Sequence, residues 1–108
     1  MEWANHVAAT ALIASPQGRI DEASWEIFLS GLIDAVKQAE TAGLALVLDL
    51  AGVAYMSSRG LRVLTLAKRE AEQRHVRFTL ARPNHRITEI LSISRYDKIF
   101  VVTQTLEA

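Results

Sequence analysis

The chain has 108 residues, 50% of them hydrophobic, and its 12 basic and 12 acidic side chains give a formal net charge of zero. This length predicts one domain, residues 1–108, that is large enough to bury a core, and the absence of cysteine excludes disulfides and thiol chemistry. No segment approaches the ~20 apolar residues that span a bilayer and the N-terminus lacks a signal-peptide pattern, so we expect a cytoplasmic protein without membrane insertion.

The charges are distributed unevenly along the chain. Residues 1–54 carry seven acidic and two basic side chains, whereas residues 55–108 carry five acidic and ten basic ones. A basic half could attract nucleic acid. The basic residues are, however, interleaved with Glu70, Glu72 and Glu89 and lack exposed aromatic side chains for base stacking. We therefore interpret them as solvated helix faces and expect no nucleic-acid partner.

The N-terminal residues predict a β-hairpin followed by a turn. Apolar residues alternate with small or polar ones from Trp3 to Ala14, which indicates two short strands with a break near Asn5-His6. The run Ser15-Pro16-Gln17-Gly18 then predicts a turn that interrupts the regular secondary structure.

A long amphipathic helix follows the hairpin. Asp21 suits its N-cap, and Gly43 suits its C-cap. Between them, apolar residues recur three and four positions apart at Trp25, Phe28, Leu32, Val36 and Ala39. The spacing predicts a helix over about Glu22 to Thr41.

The middle of the chain predicts a strand, a loop and a second helix. Leu46 to Leu50 is short and apolar enough for a strand that is covered on both faces. Ala51 to Arg59 is small and polar, which predicts the loop. From Gly60 to His75 the helical spacing returns, with an apolar stripe formed by Leu61, Leu64, Ala67 and Ala71.

The C-terminal third predicts two further strands around a short helix. Val76 to Ala81 alternates as a strand, Asn84 can cap the helix, and Ile99 to Val102 forms the last strand. The fold class is therefore α/β: a mostly parallel central sheet of four to five strands with an antiparallel N-terminal edge, flanked by three to four helices.

Two adjacent serines, Ser57 and Ser58, stand where the second helix begins. A serine hydroxyl at a helix N-cap can accept a hydrogen bond from a free backbone N–H, and this role alone can explain two serines at this position. A nucleophilic role is not supported, because the sequence has no Gly-x-Ser-x-Gly elbow. It also has no glycine-rich phosphate loop, and its three scattered histidines do not have metal-ligand spacing. We therefore expect neither catalysis nor a cofactor or metal.

The loop that carries these serines resembles a family signature. It contains the run Asp49-Leu50-x-Gly52-Val53-x-Tyr55-Met56-Ser57-Ser58-x-Gly60-Leu61, which is similar to the signature loop of STAS domains, the family named for sulfate transporters and anti-sigma factor antagonists. Gly18-Arg19-Ile20-Asp21 resembles the entry to the family's first helix. Leu91 to Phe100 resembles its closing segment, with Arg95 in place of the usual glycine.

The resemblance implies a modification site. In the family's anti-sigma factor antagonists, the serine after an aspartate in this loop is phosphorylated by a partner kinase, and Ser58 occupies that position. Ser57 stands in place of the aspartate and is the second choice of acceptor. Arg59 stands in place of a small residue. Arg62, four residues after Ser58, could pair with the phosphate or with an acidic partner, or could be a solubilising surface residue.

The resemblance also implies a partner and a function. The expected function is that of an anti-sigma factor antagonist, which binds an anti-sigma factor that is itself a GHKL-type serine kinase and so releases a sigma factor or another downstream regulator. A PP2C-type phosphatase would reverse the phosphorylation. The alternative is a non-switching STAS subunit of a lipid ABC transporter or a signalling scaffold. The predicted partner-binding residues are Tyr55, Met56, Ser57, Ser58, Arg59 and Arg62.

Overall fold

The computed structural model describes residues 1–106, so the last two residues of the predicted domain, Glu107 and Ala108, lie outside the described part. The strands are β1 (Glu2–Ala8), β2 (Ala11–Ile20), β3 (Ala45–Asp49), β4 (Val53–Met56), β5 (Phe78–Ala81) and β6 (Val102–Thr103). The α-helices are α1 (Trp25–Ala42), α2 (Ser58–Gln73) and α3 (His85–Ile93), and a short 3₁₀-helix covers Tyr96–Lys98.

The sheet confirms the predicted fold class. Its strand order is β1-β2-β3-β5-β6, and β4 pairs with β2 beyond the end of the β2–β3 ladder. The β1–β2 pair is antiparallel and all other pairs are parallel. Within residues 1–106 the sheet has six strands, more than the four to five predicted.

The main core lies between the sheet and the helices. Leu12 and Ala14 of β2 belong to this core, whereas Ala11 and Ile13 belong to a smaller cluster on the other side of the strand. This alternation follows from the two-residue period of a strand. The largest fully buried side chains of the main core are Phe28, Ile20, Leu32, Leu46, Leu48, Leu50, Met56, Leu64, Leu80, Ile87 and Leu91.

The N-terminal hairpin is present, but its turn lies elsewhere. The predicted break at Asn5-His6 is wrong, because both residues lie within β1 and the turn is formed by Ala9 and Thr10. Ala9 has a φ of 54°, a left-handed conformation that alanine rarely adopts and that the sequence does not signal.

The predicted interruption at Ser15 to Gly18 is also wrong, because β2 runs through it. Residues up to Ala14 pair with β3, and residues from Gly18 pair with β4. Pro16 lies between these two ladders and faces only β1, opposite Trp3. Its missing N–H is therefore tolerated where the strand changes partners.

The observed ends of α1 and α2 lie within two residues of the predicted ones, except that α1 begins three residues later than predicted. Gly43 and Asn84 cap α1 and α3 as predicted, and the Asn84 Oδ1 accepts a hydrogen bond from the Ile87 N–H at 2.9 Å. Asp21, however, does not cap α1, which begins at Trp25. Its carboxylate accepts instead from the Ala23 N–H at 3.0 Å, so it closes the turn before the helix.

Two strand assignments change in the second half of the chain. Val53 to Met56, predicted as loop, forms β4, because a parallel ladder with β2 is available to it. The last strand is Val102–Thr103 rather than Ile99 to Val102, because the 3₁₀-helix and the turn after it extend to Phe100. Arg95 has a φ of 65°, a backbone conformation that glycine adopts freely, and the resemblance described above implies a glycine at this position.

Candidate functional site

The two serines lie at the point where β4 ends and α2 begins. Ser57 is the N-cap, with an extended backbone, and its Oγ accepts a hydrogen bond from the Gly60 N–H at 3.4 Å. The Ser57 N–H donates to the carbonyl oxygen of Ile20 at 2.8 Å, which ties the start of α2 to the end of β2. The capping interpretation is therefore confirmed for Ser57.

Ser58 is the first residue of α2, and its side chain is exposed. Because Ser57 provides the cap, the Ser58 hydroxyl is not needed for capping. It lies beside the N-terminal turn, where free backbone N–H groups and the helix dipole favour negative charge. The position is thus open to solvent and electrostatically suited to an anionic group.

The residues two positions before and after Ser58 face the core, so Ser58 faces outward. Met56 is only 2% exposed and Gly60 is buried, so both face the core. Met56 therefore does not belong to the exposed surface, and this part of the predicted partner-binding set is wrong. The reason is that Met56 is the last residue of β4, a strand that the sequence pattern does not show.

Gly60 allows α2 to approach the sheet closely. A Cβ atom at this position would lie 2.5 Å from Met56 Cγ and 2.8 Å from Ile20 Cγ2. Real Cβ atoms do not come so close to other heavy atoms, so any larger residue requires a displacement of α2 or of these side chains.

We expect Gly60→Ala to destabilise the fold by up to about 2 kcal/mol. Overpacking of a core costs about 1–3 kcal/mol, and the better helix propensity of alanine offsets roughly 1 kcal/mol of it. Urea unfolding measures the change. Ser92→Ala, at an exposed position inside α3, is the control and should change stability by less than about 0.5 kcal/mol. A stabilised Gly60→Ala protein would contradict this account of the close approach.

Arg59 connects the start of α2 to the segment that precedes α1. Its Nε lies 2.9 Å from the Glu22 Oε2, and its guanidinium carbon lies 5.1 Å from the centre of the Trp25 ring. The pair is exposed and contributes little stability by itself. The contacts nevertheless place Glu22 and Trp25 beside Arg59, the residue that follows Ser58. The sequence does not indicate these two residues, because they precede Arg59 by more than thirty positions.

Arg62 and Tyr55 complete the surface around Ser58. Arg62 is exposed and takes part in none of the ion pairs formed within residues 1–106. It lies one helical turn after Ser58, on the same side of α2. Tyr55 is partly buried, and the Arg19 guanidinium carbon lies 4.6 Å from its ring centre. We call Tyr55, Ser57, Ser58, Arg59 and Arg62 the acceptor surface.

A buried carboxylate supports the start of the signature loop. Asp49, the last residue of β3, is 5% exposed and receives hydrogen bonds from Arg82 Nε and Nη2 at 3.1 and 2.7 Å. The Ala51 N–H and the Ser15 hydroxyl also donate to it, at 3.1 and 3.3 Å. Burial raises the pKa of Asp49, but the hydrogen bonds from Arg82 and Ala51 outweigh it and hold this pKa below its ordinary value.

These contacts join elements that are distant in the chain. Arg82 follows β5, and Asn84, two residues later, donates from Nδ2 to the Val53 carbonyl oxygen at 2.9 Å. The loop between β3 and β4 is therefore anchored at Asp49 by Arg82 and at Val53 by Asn84. These contacts fix the position of β4, which leads directly to Ser57 and Ser58. No motif in the sequence identifies Arg82 as the partner of Asp49.

Within residues 1–106, none of the helices combines the length and the apolar character that a membrane span requires.

Comparisons with known proteins agree with this arrangement. The STAS domain family model matches residues 3–108. BtrV of Bordetella bronchiseptica, whose name describes it as a candidate anti-sigma factor antagonist, is 33% identical over 97 residues, which cover 90% of this chain and 81% of BtrV.

Two solved structures share the fold. A candidate anti-sigma factor antagonist of Thermotoga maritima has a TM-score of 0.83 at 18% identity, over 96% of this chain and 87% of that one. The anti-sigma factor antagonist SpoIIAA in its unphosphorylated form has a TM-score of 0.75 at 15% identity, over 97% of this chain and 90% of SpoIIAA. The signature loop, the mixed sheet and the family match over nearly the whole sequence agree, and the chain belongs to the STAS domain family.

Proposed function

We propose that the protein is an anti-sigma factor antagonist whose binding to its partner is switched off by phosphorylation of Ser58. The observation that carries the proposal is the placement of this hydroxyl. Ser58 is exposed on the first turn of α2, whereas Met56 and Gly60, two positions before and after it, are buried. A kinase could therefore reach the hydroxyl without unfolding any element.

The proposed partner is an anti-sigma factor that is also an ATP-dependent serine kinase of the GHKL type. The unmodified protein docks on it through the acceptor surface and so releases a sigma factor or another downstream regulator. Support comes from the relatives: BtrV carries the name of such an antagonist, and SpoIIAA is known in both an unphosphorylated and a phosphorylated form. The protein would act in the bacterial cytoplasm as a binding protein rather than as an enzyme.

The chemistry of the switch requires little from this chain. The Ser58 oxygen attacks the γ-phosphorus of ATP, the bond to the β-phosphate oxygen breaks, and ADP and the hydroxyl proton leave. The phosphate brings a charge of about −1.5 to −2. The N–H groups of the first turn of α2 and the free guanidinium of Arg62 can accommodate this charge, so the modification changes the surface and leaves the core intact. A PP2C-type phosphatase would restore the hydroxyl by hydrolysis.

One observation favours a second candidate, a non-switching STAS subunit of a lipid ABC transporter or a signalling scaffold. Ser57 replaces the aspartate of the family's loop and serves as the helix cap, so a carboxylate that commonly precedes the acceptor is absent from that position. In this case the acceptor surface would bind its partner constitutively.

Incubation with ATP and the partner kinase tests the proposal. We expect the intact mass of the wild-type protein to increase by one phosphate, Ser58→Ala to take up none, and Ser57→Ala to be modified as the wild type is. Thermal unfolding of each variant verifies that it is folded. Equal phosphorylation of Ser58→Ala and wild type would overturn the proposed acceptor, loss only in Ser57→Ala would move the acceptor to Ser57, and no mass change at all would favour the non-switching alternative.

A further inference from the structure

We infer that a groove between β1 and the outer side of α1 binds a basic segment of a partner protein that inserts a large apolar side chain. The groove has a volume of about 420 Å³ and is lined by Trp3, Glu26, Ile27, Ser30, Gly31 and Asp34. We call it the β1–α1 groove. It does not include any residue of the acceptor surface, so the inference is independent of phosphorylation at Ser58.

The Trp3 indole lines the groove and can lie close to α1 because residue 31 is a glycine. A Cβ atom at Gly31 would lie 3.2 Å from three atoms of the Trp3 ring, so the indole lies against the helix backbone. Glycine in a helix interior destabilises it by about 0.5–1 kcal/mol relative to alanine. The close contact, together with the packing of Trp3 against Phe28 at 6.0 Å between ring centres, fixes the indole as a rigid wall of the groove.

Internal packing explains Trp3 and Gly31, but it does not explain Ile27. This side chain is 54% exposed and is not among the residues that pack against the main core. It lies one helical turn before Gly31 and therefore next to the exposed part of the indole. Ile27 and Trp3 together offer an apolar contact of the kind that protein interfaces use as their centre.

The carboxylates on the same side of α1 indicate the charge of the occupant. Glu26 and Asp34 are exposed, and neither takes part in the ion pairs formed within residues 1–106. Ser30 lies between them, and Ile27 lies one position from Glu26. Lysine or arginine side chains on both sides of an apolar anchor would match this arrangement, whereas an acidic segment would be repelled.

The groove and the acceptor surface lie on different sides of α1. Trp25 faces α2, where it contacts Arg59, whereas Gly31 faces Trp3 of β1. A segment bound in the groove therefore does not cover Ser58, and the protein can hold a second partner while the acceptor surface is occupied or phosphorylated.

Two synthetic helical peptides test the inference. They share one leucine stripe and carry either lysine or glutamate at all flanking positions. In a Trp25→Phe background, binding is followed by Trp3 fluorescence and by amide chemical shifts of the ¹⁵N-labelled protein. We expect the lysine peptide to bind and to shift residues 26–34, and the glutamate peptide not to bind. The double variant Glu26→Gln, Asp34→Asn should weaken the lysine peptide at least about tenfold.

A matched variant distinguishes binding in the groove from a general attraction between the basic peptide and the carboxylates of the protein. Glu89→Gln combined with Asp97→Asn removes two exposed carboxylates outside the groove and should leave the affinity within about twofold. Ile27→Ser, at an exposed site, should weaken binding without changing the melting temperature. Equal binding of both peptides, shifts concentrated outside the groove, or an equal loss in the matched variant would overturn the inference. So would a concentration-dependent dimer in sedimentation equilibrium that Ile27→Ser abolishes, because the occupant would then be a second copy.

Discussion

Phosphorylated protein is expected to bind the partner kinase at least a hundredfold more weakly than unmodified protein. The phosphate would place about two negative charges in an interface from which water is removed, and a loss of about 3 kcal/mol is enough for this change in affinity. We expect Arg62 to strengthen the effect, because the phosphate on Ser58 would engage its free guanidinium and withdraw it from the partner. Isothermal titration calorimetry of the two purified forms measures the ratio of dissociation constants.

Substitutions separate the effect of charge from that of the missing hydroxyl. Ser58→Ala should bind within a few-fold of the wild type, whereas Ser58→Asp should bind more weakly, though less so than the phosphorylated protein, because it carries only one charge. Ser92→Asp adds the same charge at an exposed position of α3, outside the acceptor surface, and should leave binding unchanged. Similar losses in Ser58→Asp and Ser92→Asp would mean that net charge, rather than the acceptor position, controls binding.

Asp49→Asn is expected to lower the free energy of unfolding by about 2–3 kcal/mol. The side chain is buried and accepts two hydrogen bonds from Arg82, one from the Ala51 N–H and one from Ser15. Asparagine has the same shape but only one acceptor oxygen, so its NH₂ group must face one of the donors that now bind the carboxylate. The Arg82 guanidinium also loses its counter-charge. The expected loss of stability is smaller than for a fully buried ion pair, because the Arg82 side chain is 44% exposed.

Urea unfolding at neutral pH gives the size of this loss. Glu72→Gln is the matched control, because it makes the same acid-to-amide change in an exposed ion pair with Lys68 and should cost less than about 0.5 kcal/mol. If Asp49→Asn were no more destabilising than Glu72→Gln, the Asp49–Arg82 contact would not support the loop as described.

The same carboxylate makes stability depend on pH. The pKa of Asp49 in the folded protein lies below its ordinary value of 3.8, so its contribution is fully present well above pH 3.8 and is lost as the pH falls from there through the folded pKa. We expect the difference in stability between wild type and Asp49→Asn to be constant near neutral pH and to shrink below about pH 4. A difference that grew on acidification would have the wrong sign for this mechanism.

Local patterns in the sequence determined the helices and their ends. The stripe from Leu61 to Ala71 predicts α2, and Ser57 and Asn84 precede helices whose first free N–H groups they satisfy. Such features depend on neighbours within one or two helical turns, so the sequence alone shows them. The signature loop also placed Ser58 at a helix start, which is where the structure has it.

The strands that the sequence did not predict and the ion pairs around the candidate site depend on contacts between distant segments. The continuation of β2 through Pro16 and the existence of β4 both follow from a ladder between strands more than thirty residues apart, and the burial of Met56 follows from β4. The Arg59–Glu22 and Arg82–Asp49 contacts join residues at similar separations. The sequence specifies which side chains can pair, but only the packed sheet brings them within reach, because pairing across long loops is set by the tertiary arrangement and not by local spacing.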